Sequence, residues 1–382
     1  MTSAITDCAL VKELGFEANT KYVDAGYRRG VLVSVLILLN LLVKSRFRSF
    51  EVADHFQDGN SGPDLAFQMF KNEREAIEAH IARGATWKII SIDLKNLQGL
   101  DFRSVFAGGL VLLPRFLLLL TRHYGLGALR TFAHPFIGYL VYRYLLEKLR
   151  HVHPSRAIVT ANISHPVSLG IHYAARSAGL TTIYIEHAMT PRLIAKDRGY
   201  DRYLVRSPHT RLLLADSGVE LDRIHVLPYW QFAAEDLLAP SAEKPIRTVG
   251  LAVNDLDTFD SVVELANYLK KIGMTCLIRV HDADRRLAKF KRFGAAAGIE
   301  ISSAAGGPIL EFLRRCDLVF AGNSSVLLDC YRARVPVIYY WSGDSSLFDY
   351  YGIVQHTNCR SARATEQLDG LLGRWGGQCE SV

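Results

Sequence analysis

The pattern of apolar and polar positions along the chain changes near residue 150. Beyond it, short apolar segments alternate with longer segments of helical composition. The pattern predicts strands at 157–160, 181–185, 203–206 and 224–227. It predicts helices at 165–179 and 210–217. Strands that alternate with helices in this way favour a parallel sheet with crossover helices.

A second region of the same kind follows the segment 231–245, whose prolines and small or charged residues indicate a linker. The pattern there predicts strands at 247–253, 275–280, 299–302, 317–321 and 336–341. It predicts helices at 258–272, 284–297, 308–315 and 324–333. We therefore predict an α/β fold with two Rossmann-like domains, 1–235 and 246–382, whose parallel sheets face a cleft.

The first 150 residues are richer in long apolar runs. We predict a helix at 64–83 and a strand at 87–94. The run 31–43 is apolar over 13 residues, and 103–150 combines leucines and aromatic residues with arginines. A membrane span needs about 20 apolar residues, so the run 31–43 is too short to predict one. The run 105–120 is broken by Pro114 and Arg115 and does not predict one either. Two interpretations remain: helical layers that cover a sheet, or helices that lie in a membrane interface.

The composition of the chain limits the kinds of partner and the cellular compartment that we expect. The 382 residues suffice for two α/β domains, and the formal net charge of +7 suits an anionic partner such as nucleic acid, a phospholipid surface or a sugar phosphate. The six cysteines form no CxxC pair. Acidic residues precede the first apolar run, which is not typical of a signal peptide. We expect a cytosolic protein without disulfides or a zinc site.

The sharpest chemical signal is the block CDLVFAGNSSVLLD at 316–329. A buried strand ends near Asn323, and Ser324 and Ser325 open a helix. Backbone N–H groups in a first helical turn carry a partial positive charge and suit a phosphate. Asp329 lies one turn on, where its carboxylate can accept from sugar hydroxyls. The alternative is an ordinary helix cap built from serine and asparagine.

A second block, LIRVHDADRR, follows the strand predicted at 275–280. His281 stands at the carboxyl end of this strand, with Arg279, Arg285 and Arg286 beside it. Such cations can hold a phosphate leaving group, and a histidine can donate a proton to it. A single histidine after a strand is also a common surface feature.

A third block, IYIEHAMTPR, places Glu186 and His187 after a strand of the first domain. Either side chain can serve as general base on an acceptor hydroxyl. Asn162, Ser164 and His165 follow the preceding strand and are candidates for contacts with the acceptor. The alternative is that these polar residues only cap strand and helix ends.

Several motifs of other enzyme classes are missing from the sequence. It contains no GxxxxGK[ST] loop, no GxGxxG after a strand, no HExxH and no GxSxG. DxD strings occur at 255–257 and 282–284. Because helix ends and cations can neutralise a phosphate, we assign neither string to a metal and expect no cofactor.

The three blocks together resemble a known group of enzymes. CDLVFAGNSSVLLD and the following VPVIYY are similar to the C-terminal motif of bacterial capsule and surface-polysaccharide glycosyltransferases, and to that of CDP-glycerol glycerophosphotransferases. His281 matches the histidine of their His-Pro motif, with Asp282 where proline is usual. His187 matches the histidine of a QHG-type strand end, with Ala188 in place of glycine. CMP-sugar transferases for sialic acid and Kdo share the later two blocks. The resemblance covers about residues 150 to 345.

The resemblance implies a GT-B fold and transfer of a sugar, without a metal, from a CMP-, CDP- or UDP-linked donor to a glycan or lipid-linked acceptor. It implies a role in capsule or lipopolysaccharide synthesis, in a cytoplasmic protein that is peripheral on the inner face of the cell membrane. Expected partners are the nucleotide-sugar, the acceptor and the membrane surface, and no nucleic acid. Alternatives are a polyol-phosphate transferase, a nucleotide-sugar epimerase and a non-catalytic polysaccharide assembly protein.

Overall fold

The computed structural model describes most of the chain as two compact units. The described residues are 9–14, 35–36, 40, 64–81, 87–92, 105–106, 109–152, 157–227, 246–254, 256–281, 284–357 and 359–372. Unit 1 comprises Met1–Arg206 and Leu214–Leu227, and unit 2 comprises Ser207–Leu213 and Pro228–Val382. The predicted linker at 231–245 lies outside the described residues, so the boundary predicted there stays a prediction.

Unit 1 is built on a six-stranded sheet in which every neighbouring pair is parallel. Its strands are β1 Asp64–Gln68, β2 Trp87–Ser91, β3 Ala157–Thr160, β4 Thr181–Ile185, β5 Arg202–Val205 and β6 Ile224–Val226. Their order across the sheet is β2-β1-β3-β4-β5-β6. The helices between them are α1 Lys71–Ile81, α2 Gly109–Tyr124, α3 Ala133–Leu149, α4 Pro166–Ser177 and α5 Pro208–Asp216.

The helix predicted at 64–83 is wrong in its first part, because Asp64–Gln68 is a strand. Four of its five residues are buried, between β2 on one side and β3 on the other. A strand covered on both faces lacks the alternation of apolar and polar residues that marks a half-exposed strand. The sequence pattern therefore did not separate this short apolar strand from the helix α1 that follows.

The apolar stretch near 133–149 is a core helix. Most residues of α3 are buried, and α3 packs closely against α4. The helices approach at Gly138 and Gly170, where an added Cβ would collide with backbone oxygen of the opposite helix. For α3, the interpretation as a layer over the sheet is therefore correct. Among the described residues, no helix is long and apolar enough to cross a membrane.

Unit 2 contains a second sheet of six parallel strands. They are β7 Thr248–Val253, β8 Thr275–Val280, β9 Glu300–Ser302, β10 Leu318–Ala321, β11 Val337–Tyr340 and β12 Arg360–Ala362, in the order β12-β11-β10-β7-β8-β9. The helices are α6 Phe259–Lys271, α7 Leu287–Ala297, α8 Ile309–Arg314, α9 Val326–Ala333, α10 Ile353–His356 and α11 Leu368–Leu372. The α/β fold with two parallel sheets is thus confirmed.

The sequence interpretation missed β12, the sixth strand. Its three residues, RSA, include an arginine and a serine, so they carry no apolar run. The strand forms because Arg360 and Ala362 pair with Ile338 and Tyr340 of β11.

Of the apolar run at 31–43, only residues 35, 36 and 40 are described, and they are helical and exposed.

Candidate functional site

The strand order of unit 2 creates a crevice at one edge of its sheet. The chain runs from β7 outward through β8 to β9 and then returns to place β10 on the other side of β7. Ligands of open parallel sheets bind at the carboxyl ends of strands where the order reverses in this way. In this sheet the reversal lies between β7 and β10, so the loops that follow Val253 and Ala321 border the crevice.

A cavity of about 490 Å³ opens at this point. This volume lies within the usual range of small-molecule sites, about 300–1,000 Å³. The cavity brings together most of the predicted phosphate site, namely Arg279, His281, Ser324, Ser325 and Asp329. Other polar and apolar residues complete its wall, among them Asn254, Asp284 and Ile309. Cations, hydroxyls and a carboxylate therefore share one cavity.

The start of α9 presents its serines to the cavity in a tight turn. The N–H of Val326 donates to Ser324 Oγ at 3.3 Å, and that of Leu328 donates to Ser325 O at 3.0 Å. Part of the first-turn N–H set is therefore bonded within the chain. The hydroxyls and the positive end of the helix dipole are what this turn can offer an anion.

Asn323 is not among the residues that line the cavity, and its predicted role in phosphate binding stays a prediction. Its side chain is buried, and its Oδ1 accepts from Tyr339 Oη at 2.7 Å and from the N–H of Tyr350 at 3.0 Å. Its Nδ2 donates to Leu347 O at 2.8 Å. Both lone pairs of the amide oxygen are used. Asn323 thus braces the turn before α9 against the loop after β11.

Two of the predicted basic residues end in different surroundings. Arg279 lines the cavity, with Nη2 donating to Gly307 O at 2.8 Å and its guanidinium 6.0 Å from the Phe312 ring centre. Arg285 is exposed and does not line the cavity. The prediction that it binds phosphate is therefore not supported by its position.

Arg286, the next residue, ties the two loops beside the cavity together. Its Nε donates to Asp284 Oδ1 at 2.9 Å, and its Nη2 donates to Asn254 O at 2.7 Å. Its guanidinium holds the pKa of Asp284 below the usual value. Asn254 in turn donates through Nδ2 to the carbonyl oxygen of Asn323. Sequence reasoning missed this bracing role, since the pattern of a strand end does not show which arginine turns inward.

Unit 1 has its own polar edge, where the predicted acceptor residues lie. Asn162 Oδ1 accepts from the N–H of Ser164 at 3.1 Å and of His165 at 2.8 Å. His165 Nδ1 accepts from the N–H of Val167 at 3.2 Å and caps α4. Ser164 is buried. The capping interpretation accounts for these contacts, and a role in acceptor binding stays a prediction.

Glu186 and His187 are neighbours in sequence but differ in exposure. Only 1% of Glu186 is exposed, and its carboxylate accepts from the N–H groups of Arg206 at 2.7 Å and Thr190 at 3.2 Å. Its oxygens hold the loop, and its predicted role as a general base stays a prediction. His187 is half-buried, and its Nδ1–H donates to Ala161 O. That bond sets the tautomer and places the ring lone pair on Nε2.

Glu73 is a buried carboxyl of this edge that sequence reasoning missed. Its Oε2 accepts from the N–H groups of Met69 at 2.6 Å and Phe70 at 3.3 Å, and Asn162 Nδ2 lies 3.5 Å from Oε1. Burial raises the pKa of Glu73 above its usual value. The sequence pattern did not indicate Glu73 because the helix predicted at 64–83 included β1, so no strand end was predicted near this residue.

The acidic strings offer no metal cage in the described part of the chain. Asp255 and Asp282 lie outside the described residues. Asp257 Oδ2 accepts from the N–H of Asn254, and Asp284 pairs with Arg286. Within the ranges that the structure describes, no cluster of three or more His, Cys, Asp or Glu side chains could hold a metal ion.

Comparisons give structural likeness at low identity. No protein-family model and no curated protein matches this sequence. Among solved structures, the lipopolysaccharide outer core galactosyltransferase WaaB is similar at 11% identity, with a TM-score of 0.42 and coverage of 82% of this chain and 96% of that one.

Two further structures are similar to the same degree. UDP-GlcNAc 2-epimerase from Neisseria meningitidis shares 10% identity over 81% of this chain and 90% of its own, with a TM-score of 0.44. Anabaena Alr3699/HepE in complex with UDP-glucose shares 13% identity over 81% and 88%, with a TM-score of 0.41. At these values the function of those proteins does not transfer to this chain.

Proposed function

We propose that this protein is a GT-B type glycosyltransferase that moves a sugar from a CMP-, CDP- or UDP-linked donor to a glycan or lipid-linked acceptor. One observation carries the proposal: Arg279, His281 and the Ser324–Ser325 turn line one cavity at the strand-order reversal of unit 2. Asp329 in the same cavity supplies an acceptor for sugar hydroxyls. This set matches the chemistry of a sugar phosphate.

The cavity residues suit the departure of a nucleotide from the sugar. When the bond between the sugar and the phosphate oxygen breaks, negative charge grows on the phosphate. Arg279, the serine hydroxyls and the positive end of α9 stabilise that charge, and His281 can donate to the oxygen. These groups supply the charge neutralisation that a metal ion provides elsewhere.

We propose that His187 in unit 1 is the general base that accepts the proton of the acceptor hydroxyl. The Nδ1–H donates to Ala161 O, so Nε2 is the atom that accepts a proton. The same bond favours the imidazolium that forms, since a carbonyl oxygen attracts the charged ring. Glu186, whose carboxylate is enclosed, holds the loop that carries His187.

The proposal is tested first by nucleotide binding. We expect UDP, CDP or CMP to raise the melting temperature of the wild-type protein, because a ligand that binds only the folded state stabilises it. Replacement of Arg279 by Met keeps most of the apolar stem and removes the charged donor, so affinity should fall about tenfold or more. Arg285→Gln is the matched control, since this exposed arginine lies outside the cavity.

The proposed donor site is wrong if the Arg279 variant binds the nucleotide as tightly as the wild type. It is also wrong if no nucleotide raises the melting temperature of the wild-type protein. The product then separates the alternatives. Release of nucleotide from a sugar donor supports glycosyl transfer, and release of CMP from CDP-glycerol favours a polyol-phosphate transferase. Turnover without any acceptor indicates an epimerase, and binding without turnover favours an assembly protein.

We also propose that this protein is peripheral on the cytoplasmic face of the cell membrane, where a lipid-linked acceptor would be located. Two features support this: the basic net charge of the chain and the exposed apolar residues of α2. Surface residues of that kind are typical of proteins that lie against a lipid interface.

A further inference from the structure

Helix α2 exposes large apolar side chains together with arginines. Val111 is 82% exposed and Leu118 is 69% exposed. Arg115 and Arg122 are exposed as well. The spacings between 111, 115, 118 and 122 are those of one helical face. We call these four residues the outer stripe of α2.

The opposite face of α2 fixes the helix to unit 1. Phe116 and Leu120 are fully or almost fully buried. The Phe116 ring lies 5.1 Å from the ring of Phe136 and 5.6 Å from that of Tyr139, both on α3. The outer stripe is therefore the solvent-facing side of a helix whose other face is packed against α3.

The charged residues near α2 in the sequence have one sign. Between Asp101 and Glu147 the sequence contains no acidic residue and five arginines. An apolar stripe that also carries Arg115 and Arg122 is complementary to an interface that combines hydrocarbon with anionic headgroups. A two-fold contact with a second copy would bring the same arginines face to face, which is unfavourable.

From these observations we infer that the outer stripe of α2 docks on an anionic phospholipid surface. Val111 and Leu118 enter the interfacial layer, and Arg115 and Arg122 reach headgroup phosphates. The helix has 16 residues, too few to cross the bilayer, so it lies along the surface. The inference rests on the proposed membrane-side function and names the contact surface that this function needs.

Vesicle sedimentation with the full-length protein tests this surface. We expect wild-type protein to bind vesicles of phosphatidylglycerol and phosphatidylcholine at low salt, and to bind vesicles of phosphatidylcholine alone much more weakly. Val111→Ser/Leu118→Ser should weaken binding by about tenfold or more, since two apolar anchors are lost. Arg115→Gln/Arg122→Gln should weaken it by about fivefold per arginine and flatten its salt dependence.

A matched control is Leu221→Ser/Arg202→Gln, because both residues are exposed in unit 1 and lie outside α2. It should bind anionic vesicles like the wild type, and all variants should melt at the wild-type temperature. The inference is overturned if wild-type protein ignores anionic vesicles, or if the outer-stripe variants bind them unchanged. It is also overturned if the wild type self-associates and the Val111/Leu118 variant is monomeric.

Transfer to a water-soluble acceptor separates this inference from the proposed function. The outer-stripe variants should keep wild-type turnover there, because their changes lie on α2 and not among the cavity residues. If no variant shows turnover but vesicle binding follows the expected order, the docking surface stands and the proposed chemistry fails.

Discussion

Asn323 and Ser324 are adjacent in the chain, yet their side chains have different surroundings. Ser324 lines the cavity, while Asn323 is buried in a network with Tyr339 and the loop after β11. A similar contrast separates half-buried His187 from Glu186, whose carboxylate is buried and accepts backbone N–H groups. The sequence pattern located the segments whose side chains meet at the cavity, and their role in binding stays a proposal. It did not distinguish a residue that lines the cavity from a buried neighbour.

His187 provides a test at the scale of one residue. We expect His187→Gln to lower kcat by about 100-fold or more, because the change removes the proposed base. KM for the donor should change little, since His187 is not among the residues that line the proposed donor cavity. Steady-state kinetics with the donor identified by thermal shift measures both constants.

The matched control is His225→Gln, an exposed histidine of β6 in the same unit. It should retain wild-type kcat. If His187→Gln retains wild-type kcat as well, His187 is not the base, and its bond to Ala161 O has only a structural role.

At the scale of elements, the contact between α3 and α4 depends on two glycines. Gly138 approaches the backbone of Pro166, and Gly170 approaches that of Gly138. The apolar pattern predicted helices that cover a sheet but not this close crossing. The crossing lies close to the polar edge of unit 1, because α4 begins beside Asn162 and His165.

We expect Gly170→Ala to destabilise the protein, because the new methyl group would collide with Gly138 O and the helices would have to separate. Overpacking of this kind typically costs about 1–3 kcal/mol. Gly127→Ala is the control, since nothing lies within 4 Å of its added Cβ. Urea unfolding measures both variants, and an equal midpoint for the two would contradict the tight crossing.

At the scale of the whole molecule, each unit contains a buried neutral histidine. In unit 1, His172 Nε2 lies 2.9 Å from Arg198 O and its ring stacks on Tyr200 at 3.8 Å. Burial lowers the pKa of His172 to about 4. In unit 2, burial lowers the pKa of His209 to about 3. Both units thus hold a group that resists protonation while folded.

These pKa values predict a loss of stability in mild acid. In the unfolded chain each histidine takes up a proton near its ordinary pKa of about 6.5, whereas the folded protein does not. Stability should therefore be fully present above about pH 6.5 and should fall as the pH is lowered toward 4. For His172 the full effect is about 3 kcal/mol.

Urea unfolding at a series of pH values between 7 and 4 measures this slope. Replacement of His172 by Gln, which does not titrate, should make the slope shallower, whatever its effect on stability at pH 7. An unchanged slope for His172→Gln would show that His172 does not drive the acid sensitivity.

The sequence by itself determined the α/β class, most strands and helices, and the segments that carry polar residues at strand ends. These follow from local periodicity, because burial on one face leaves its mark on neighbouring positions. Only the tertiary structure decided that β10 pairs with β7, that Arg279 reaches the cavity while Arg285 does not, and that Asp64–Gln68 is a strand. Strand partners and side-chain hydrogen bonds join residues far apart in the chain, and no local pattern encodes them.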